Sequence, residues 1–418
     1  MRIEDLYILY KKHFKVDTDT RKIRQNSIYF ALKGENFNGN TFAEEALKKG
    51  ALYSIVDEEK YVVNDKIILV EDVLTTLQEL ATFHRNHITF PILGLTGSNG
   101  KTTSKELINC ILKRKFNTVA TSGNLNNHIG VPLTILSFDD KTEFGIVEMG
   151  ANHQKEIEFL CTIAKPDFGY ITNFGKAHLE GFGGIEGVIK GKSELYQYIR
   201  NHKKRVFVNP YDPKQVDLTN DLHPIFFDRS IKLVESNPFL EVHFDTMSCK
   251  TQLIGAYNFS NIACAISIGQ FFDISTIEIK EAIESYLPSN NRSQVIKTNH
   301  NSIILDAYNA NPSSVQLALK SFDAMNADNK VAILGDMFEL GEEAFFEHQE
   351  IANLTKSLNF TKVYLVGENF YKTNTNSPKF KSFNDLKNEL NKNHINESVI
   401  LIKGSRGMAL ERLLKIIK

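Results

Sequence analysis

The stretch "FPILGLTGSNGKTTSKELINCIL" (residues 90–112) constrains the fold more than any other. An apolar run enters a glycine loop. The segment after it carries Leu107, Ile108, Ile111 and Leu112 at helical spacing. The order is therefore strand, glycine loop, helix. Gly97 and Gly100 permit backbone conformations closed to other residues. Ser98 and Asn99 are small, Lys101 follows the loop, and Thr102 and Thr103 add hydroxyls. A phosphate cradle needs this set: inward N–H groups at a helix N-terminus, a cation beside them, and a hydroxyl for Mg²⁺. The common pattern G-x-x-x-x-G-K-[ST] would put its first glycine at position 95. Leu95 stands there, and the glycine comes two places later, at Gly97. The loop is thus a short variant whose strand and helix are both in place.

The rest of the chain extends the α/β pattern. At 418 residues it is too long for one ordinary core. Residues 1–88 hold short strands at "NSIYFALKG" and "LYSIVD" around a helix, "FAEEALKKGA". Residues 89–294 continue from the loop with strands at "FGIVEMG", "DFGYITNF" and "RVFVNP". A β-rich insert is expected near 225–255, followed by a helix at "NFSNIACAISIGQFF". Residues 295–418 alternate four strands with four helices, ending in a helix at "MALERLLKIIK". That last pattern predicts a doubly wound, Rossmann-like domain. The fold class is α/β in three domains: a small N-terminal unit, a central phosphate-loop ATPase domain with a mostly parallel sheet, and the Rossmann-like domain.

Charge and cysteine usage narrow the function classes. With 50 acidic and 49 basic residues, no global field favours nucleic acid or anionic lipid. Cys110, Cys161, Cys249 and Cys264 lack metal-ligand spacing and read as reduced thiols of a cytoplasmic protein. The N-terminus does not read as a signal peptide, and no apolar run is long enough to span a bilayer.

Three motifs downstream of the loop carry chemistry. "GIVEMGANHQKEI" places Glu148 at the end of an apolar strand, where a parallel sheet presents its functional groups. A carboxylate there suits Mg²⁺, which prefers hard oxygen ligands; the plainer alternative is a turn acid. "NFGKAHLEGFGG" sets His178 after Asn173 in a glycine-rich loop, with Glu180 two residues on. A lone histidine is more often a structural hydrogen-bonder, but its neighbourhood points toward the metal. Lys192, in "GVIKGKSEL", shows nothing by spacing alone.

The short loop T-G-S-N-G-K-T-T resembles that of the Mur ligase family, the ATP-dependent amide-bond ligases of peptidoglycan precursor synthesis. The related folylpolyglutamate synthases have a similar loop but generally lack the first domain. "GNLNNHIGVPLT", "VEMGANHQKEI", "HLEGFGG", "DAYNANPSSVQLAL", "LGDMFELGEEAFFEHQ" and "KGSRGMALE" are similar to the branch that joins D-alanyl-D-alanine to UDP-MurNAc-tripeptide. No Asp-Asn-Pro-Arg tetrapeptide of the sister ligases occurs. His128 stands where an acid is common, and Asn38-Gly39-Asn40 replaces the family's Asp-Gly-His.

The resemblance implies a carbamylated Lys192 in a K-x-E setting with Glu194, supporting a second Mg²⁺ with His178. Thr102 and Glu148 would hold the first. It places Asn258 or Asn261 near adenine, Arg292 near phosphate, and Asp306 at ribose or the domain border. Asn309, Asn311 and Ser313 would face the incoming dipeptide, and Arg406 would approach either substrate or only stabilise a turn. Arg24, Ser27, Lys33 and Gly34 would contact the uridine end. It further implies a monomer that closes on its substrates from an open form. Rival readings are another Mur-type or folylpolyglutamate-type ligase, or a nucleotide-driven switch that needs no second metal.

Overall fold

The computed structural model describes residues 1–289 and 291–417. The central domain is built on six parallel strands. Their spatial order is Pro224–Phe226, Arg205–Val208, Phe168–Ile171, Ile92–Thr96, Phe144–Glu148, Thr118–Ala120. Every residue of Ile92–Thr96 is buried, as expected of a central strand covered on both faces. Sequence order reverses around this strand, so the carboxyl ends of Ile92–Thr96, Phe144–Glu148 and Phe168–Ile171 share one crevice. That is where open parallel sheets bind ligands.

The helix after the loop, Lys101–Leu112, buries the predicted face of Leu107, Ile108, Ile111 and Leu112. Each such side chain contributes about 1.5–3 kcal/mol by leaving water. They pack in one cluster with the largely buried helix Phe259–Phe271. Gly269 makes the close approach possible: a Cβ there would lie 2.7 Å from Ile111 Cγ2. The expected insert is a three-stranded antiparallel sheet, Lys232–Ser236, Phe239–Phe244 and Met247–Ile254.

The C-terminal sheet runs Gln294–Lys297, Asn301–Asp306, Ser398–Lys403, Lys330–Gly335, Lys362–Val366, Lys379–Phe380. All are parallel except the first, an antiparallel edge. The expected final helix is corrected. Residues 406–415 form two 3₁₀ segments, Arg406–Met408 and Leu410–Lys415, broken at Ala409, which has φ 47°. Leu410 and Leu413 are both buried, so apolar spacing alone could not distinguish a 3₁₀ turn from an α-helix.

In the N-terminal domain four short parallel strands pair in the order Val16–Asp17, Ile28–Phe30, Tyr53–Val56, Ile67–Leu69. A two-residue-strand hairpin, Lys33–Gly34 with Phe37–Asn38, stands apart. The helix Val73–His87 fixes this domain to the central one. Its Arg85 donates to Ala164 O (2.8 Å), Lys165 O (2.7 Å) and Asp167 Oδ2 (2.9 Å).

Candidate active site

The loop begins where Ile92–Thr96 ends. Gly97 has φ +139°, and a Cβ there would sit 2.0 Å from Thr172 Oγ1. Only glycine lets the chain pass so close to the neighbouring strand. Gly100 has φ +79° and lies against Asn261. The Asn99 carbonyl accepts from Thr172 Oγ1 (2.6 Å) and Asn173 Nδ2 (3.0 Å), and Asn99 N donates to Asn173 Oδ1 (3.1 Å). The next strand's end therefore holds the loop in shape. Lys101 Nζ folds back on Gly97 O (2.7 Å) and Ser98 O (3.3 Å). Desolvation lowers its pKa below the usual lysine range, Glu148 opposes that shift, and Arg292 adds to it.

Glu148 is buried at the next strand's end, 1% exposed. Thr102 Oγ1 donates to it (3.1 and 3.3 Å), as does Asn126 Nδ2 (2.8 Å). Lys105 Nζ stands 3.8 Å from its Oε2 and donates to Thr121 O (2.7 Å). A buried carboxylate beside a hydroxyl and amide groups, at the mouth of a phosphate loop, fits a hard cation that keeps water and phosphate as its remaining ligands. Asn126 and Lys105 escaped the sequence reading. Each lies inside a quoted motif, but nothing in spacing reveals which asparagine or lysine turns inward.

Lys192 is completely buried in the helix Ile185–Asn201. Its Nζ donates to Ala151 O (3.0 Å) and lies 4.9 Å from the centre of the Phe182 ring. Burial drives its pKa far down, and nearby Lys101 acts in the same direction. Glu194 does not join it. Its carboxylate accepts from Lys155 N (2.6 Å) and Glu158 N (3.0 Å), at the start of the helix Glu156–Ala164. His178, at φ 54°, pairs through Nδ1 with Glu339 Oε2 of the C-terminal domain (2.5 Å). Glu180 is exposed, and its N–H donates to Glu339 O (3.2 Å). Among the described residues no three His, Cys, Asp or Glu side chains gather as a metal cage.

A cleft of about 480 Å³ opens between the central and C-terminal domains. Ser98 to Thr103, Glu148, His178, Asn258, Asn261, Arg292, Asp306, Asn309 and Asn311 line it. Asn258 and Asn261 are linked by a 2.9 Å bond, and Asn261 accepts from Ser104 Oγ of the loop helix (3.0 Å). The Arg292 guanidinium lies 3.7 Å from the Tyr308 ring centre and that of Arg406 5.3 Å. Asp306 is held by Lys403 Nζ (2.7 Å) and Ser293 N (3.3 Å). Lys403, buried at the end of its strand, also reaches Asn309 O (3.3 Å).

Gly97, Lys192, Ser313 and Arg406 are not on the cleft wall. Neither are Arg24, Ser27, Lys33 and Gly34, which lie in the N-terminal domain. There Arg24 pairs with Asp17, Lys33 with Asp57 and Glu58, and Ser27 is fully buried. Gly34 is exposed on the hairpin, with open space around its Cα. His128, set aside in the sequence reading, does line the cleft.

The two domains touch across the loop. Asn311 Nδ2 donates to Asn99 Oδ1 (2.8 Å), Lys176 N to Ser313 Oγ (2.8 Å), and Lys176 Nζ to Glu347 Oε1 (2.5 Å). These contacts join the central and C-terminal domains beside the loop.

Domain models of one family match in succession: the Mur ligase family catalytic domain over 14–89, the Mur ligase middle domain over 95–269, and the Mur ligase glutamate ligase domain over 291–415. A Bacillus subtilis protein named UDP-N-acetylmuramoyl-tripeptide–D-alanyl-D-alanine ligase is 31% identical, covering 96% of this chain and 92% of its own. The chain belongs to the Mur ligase family. A Haemophilus influenzae Mur ligase of the same name is also 31% identical, over 97% of this chain and 93% of its own. Among solved structures, MurF from Acinetobacter baumannii superposes with TM-score 0.84 at 27% identity, covering 96% of this chain and 92% of that one. MurF ligase from Thermotoga maritima in complex with ADP gives TM-score 0.84 at 27% identity, over 96% of each chain. Like the rest of the family, this Mur ligase is an ATP-dependent ligase. No helix among the described residues is long and apolar enough to cross a membrane.

Proposed function

We propose that this Mur ligase joins D-alanyl-D-alanine to UDP-MurNAc-tripeptide with consumption of ATP. The observation that carries the reading is the two-domain cleft. It places a phosphate loop opposite the Asn309–Ser314 segment, in a chain about 30% identical over nearly its whole length to ligases named for that reaction.

The tripeptide carboxylate attacks the γ-phosphorus of ATP, ADP leaves, and an acyl phosphate results. The dipeptide amine then attacks the carbonyl and expels phosphate, losing its proton. Activation is needed because oxide is a poor leaving group. The loop N–H groups and Lys101 hold the phosphates at the helix start. Asn258 or Asn261 serves adenine, Arg292 serves phosphate, and Asp306 serves ribose or helps close the domains. Asn309 and Asn311, which line the cleft, serve the dipeptide side, while Ser313 and Arg406 lie off the cleft wall; Arg24, Ser27, Lys33 and Gly34 belong to the uridine end. Thr102 and Glu148 would hold one Mg²⁺ and His178 and a carbamylated Lys192 would support a second; the ions would supply charge neutralisation. Burial supports that modification, since it favours the neutral amine that adds to CO₂. The enzyme acts as a monomer.

The test is phosphate release from ATP and Mg²⁺ with UDP-MurNAc-tripeptide, with and without D-Ala-D-Ala, read with product mass. A pentapeptide formed only with every component is expected. ATP hydrolysis without that product would return the choice to the sister ligases. Full activity in Lys192→Ala, indifferent to bicarbonate, would remove the carbamate.

A further inference from the structure

An ammonium group entering an active site needs an anionic partner. Four carboxylates line the cleft among the described residues: Glu148, Glu156, Asp306 and Glu339. Three are committed elsewhere. Glu148 is buried among Thr102, Asn126 and Lys105. Glu156 accepts from the N–H groups of Asn152 (2.6 Å) and His153 (3.1 Å). Asp306 is taken by Lys403 and Ser293 N. Glu339 differs. Its side chain is 52% exposed, and among the described residues it pairs with the His178 imidazole alone.

The backbone fixes where that carboxylate goes. Glu339 has φ 64°, a left-handed conformation uncommon outside glycine and asparagine. Its carbonyl is tied to Glu180 N across the domain border. The preceding Phe338 is anchored by its N–H to Ser405 Oγ (2.9 Å). Phe338 and Leu317, 42% and 45% exposed, give the same cleft two apolar surfaces. A carboxylate flanked by small apolar surfaces, facing a phosphate loop, suits a short peptide with a free amino end and methyl side chains.

We propose that Glu339 binds the ammonium group of the incoming dipeptide beside His178, an assignment that rests on the ligase reading above. The nucleophile must reach a carbonyl activated at the phosphate loop. Glu339 belongs to the C-terminal domain yet meets a central-domain histidine, so domain closure would carry the amine toward that carbonyl.

Steady-state kinetics of Glu339→Gln tests this, with D-lactyl-D-alanine, in which a hydroxyl replaces the ammonium, as a competitive inhibitor. The expected result is at least a tenfold rise in KM for D-Ala-D-Ala. KM for ATP and the inhibition constant of D-lactyl-D-alanine should stay within threefold, and Glu339→Asp should recover part of the loss. An unchanged dipeptide KM overturns the proposal. So does a parallel rise in all three constants, which would make Glu339 a structural clasp. A wild-type enzyme that forms no pentapeptide would fail the ligase reading itself, and the inference with it; normal dipeptide KM in the variant of an active enzyme would fail only the inference.

Discussion

Gly97 and Asn126 show how single positions carry the site. A methyl at Gly97 would collide with Thr172 Oγ1 at 2.0 Å, in a backbone conformation L side chains rarely adopt. Gly97→Ala should cost about 2–4 kcal/mol locally, which the loop would relieve by shifting. The expected outcome is loss of ATP binding in calorimetry, with near-native circular dichroism. Asn126 acts through another residue, since its amide orients the Glu148 carboxylate. Asn126→Ala should raise the Mg²⁺ needed for half-maximal turnover by about 10–100-fold, the usual effect of losing a group that orients a metal ligand. A Mg²⁺ titration of phosphate release checks it, and an unchanged midpoint would remove Asn126 from the metal site.

At the scale of one element, the helix Val73–His87 makes a pH-dependent joint. His84 is buried between domains, with Nε2 against Phe138 O (3.0 Å) and Nδ1 against Tyr7 O–H (3.3 Å). Desolvation lowers its pKa to about 4, while the Phe138 carbonyl opposes the shift. In the unfolded chain it would titrate near 6.5. The unfolded state therefore binds the extra proton first as pH falls. The stability is fully present above pH 6.5 and is lost on descending to about 4, by up to about 3 kcal/mol. Denaturant midpoints measured between pH 7 and 4 should fall for the wild type and fall less for His84→Gln. Equal slopes would show that other groups dominate. This helix also marks where sequence reading stopped. The strand, loop and helix at 92–112 were legible because apolar period and glycine placement agree there. So was the cleft's polar set at Glu148, His178 and Asn311, through their motifs. The role of Val73–His87 was not, because its contacts to Ala164, Lys165 and Asp167 join residues some 80 positions apart. Lys105, Asn126, Lys403 and Glu339 were missed likewise: side-chain direction is set by tertiary packing, and no local pattern reports it.

Across the whole molecule, polar contacts beside the phosphate loop help join the C-terminal domain to the central one. Lys176 is the centre of this clasp: its N–H meets Ser313 and its ammonium meets Glu347, whose side chain is 3% exposed. Removing the lysine alone would leave a buried carboxylate unpaired, a penalty unrelated to closure. The paired variant Lys176→Met/Glu347→Gln isolates the clasp instead. Neither residue lines the cleft, so the pair should act only through domain placement. Misplacing reacting groups by about 1 Å can cost about 10²-fold in rate, so turnover should fall tenfold or more while each domain stays folded. Small-angle scattering with ATP, Mg²⁺ and the UDP-substrate should then show the wild type converging on the dimensions of the structure and the variant remaining larger. If both scatter alike with full ligands and turn over alike, closure does not depend on this clasp. The contacts of Asn311 with Asn99 and of Glu339 with His178 would then have to suffice.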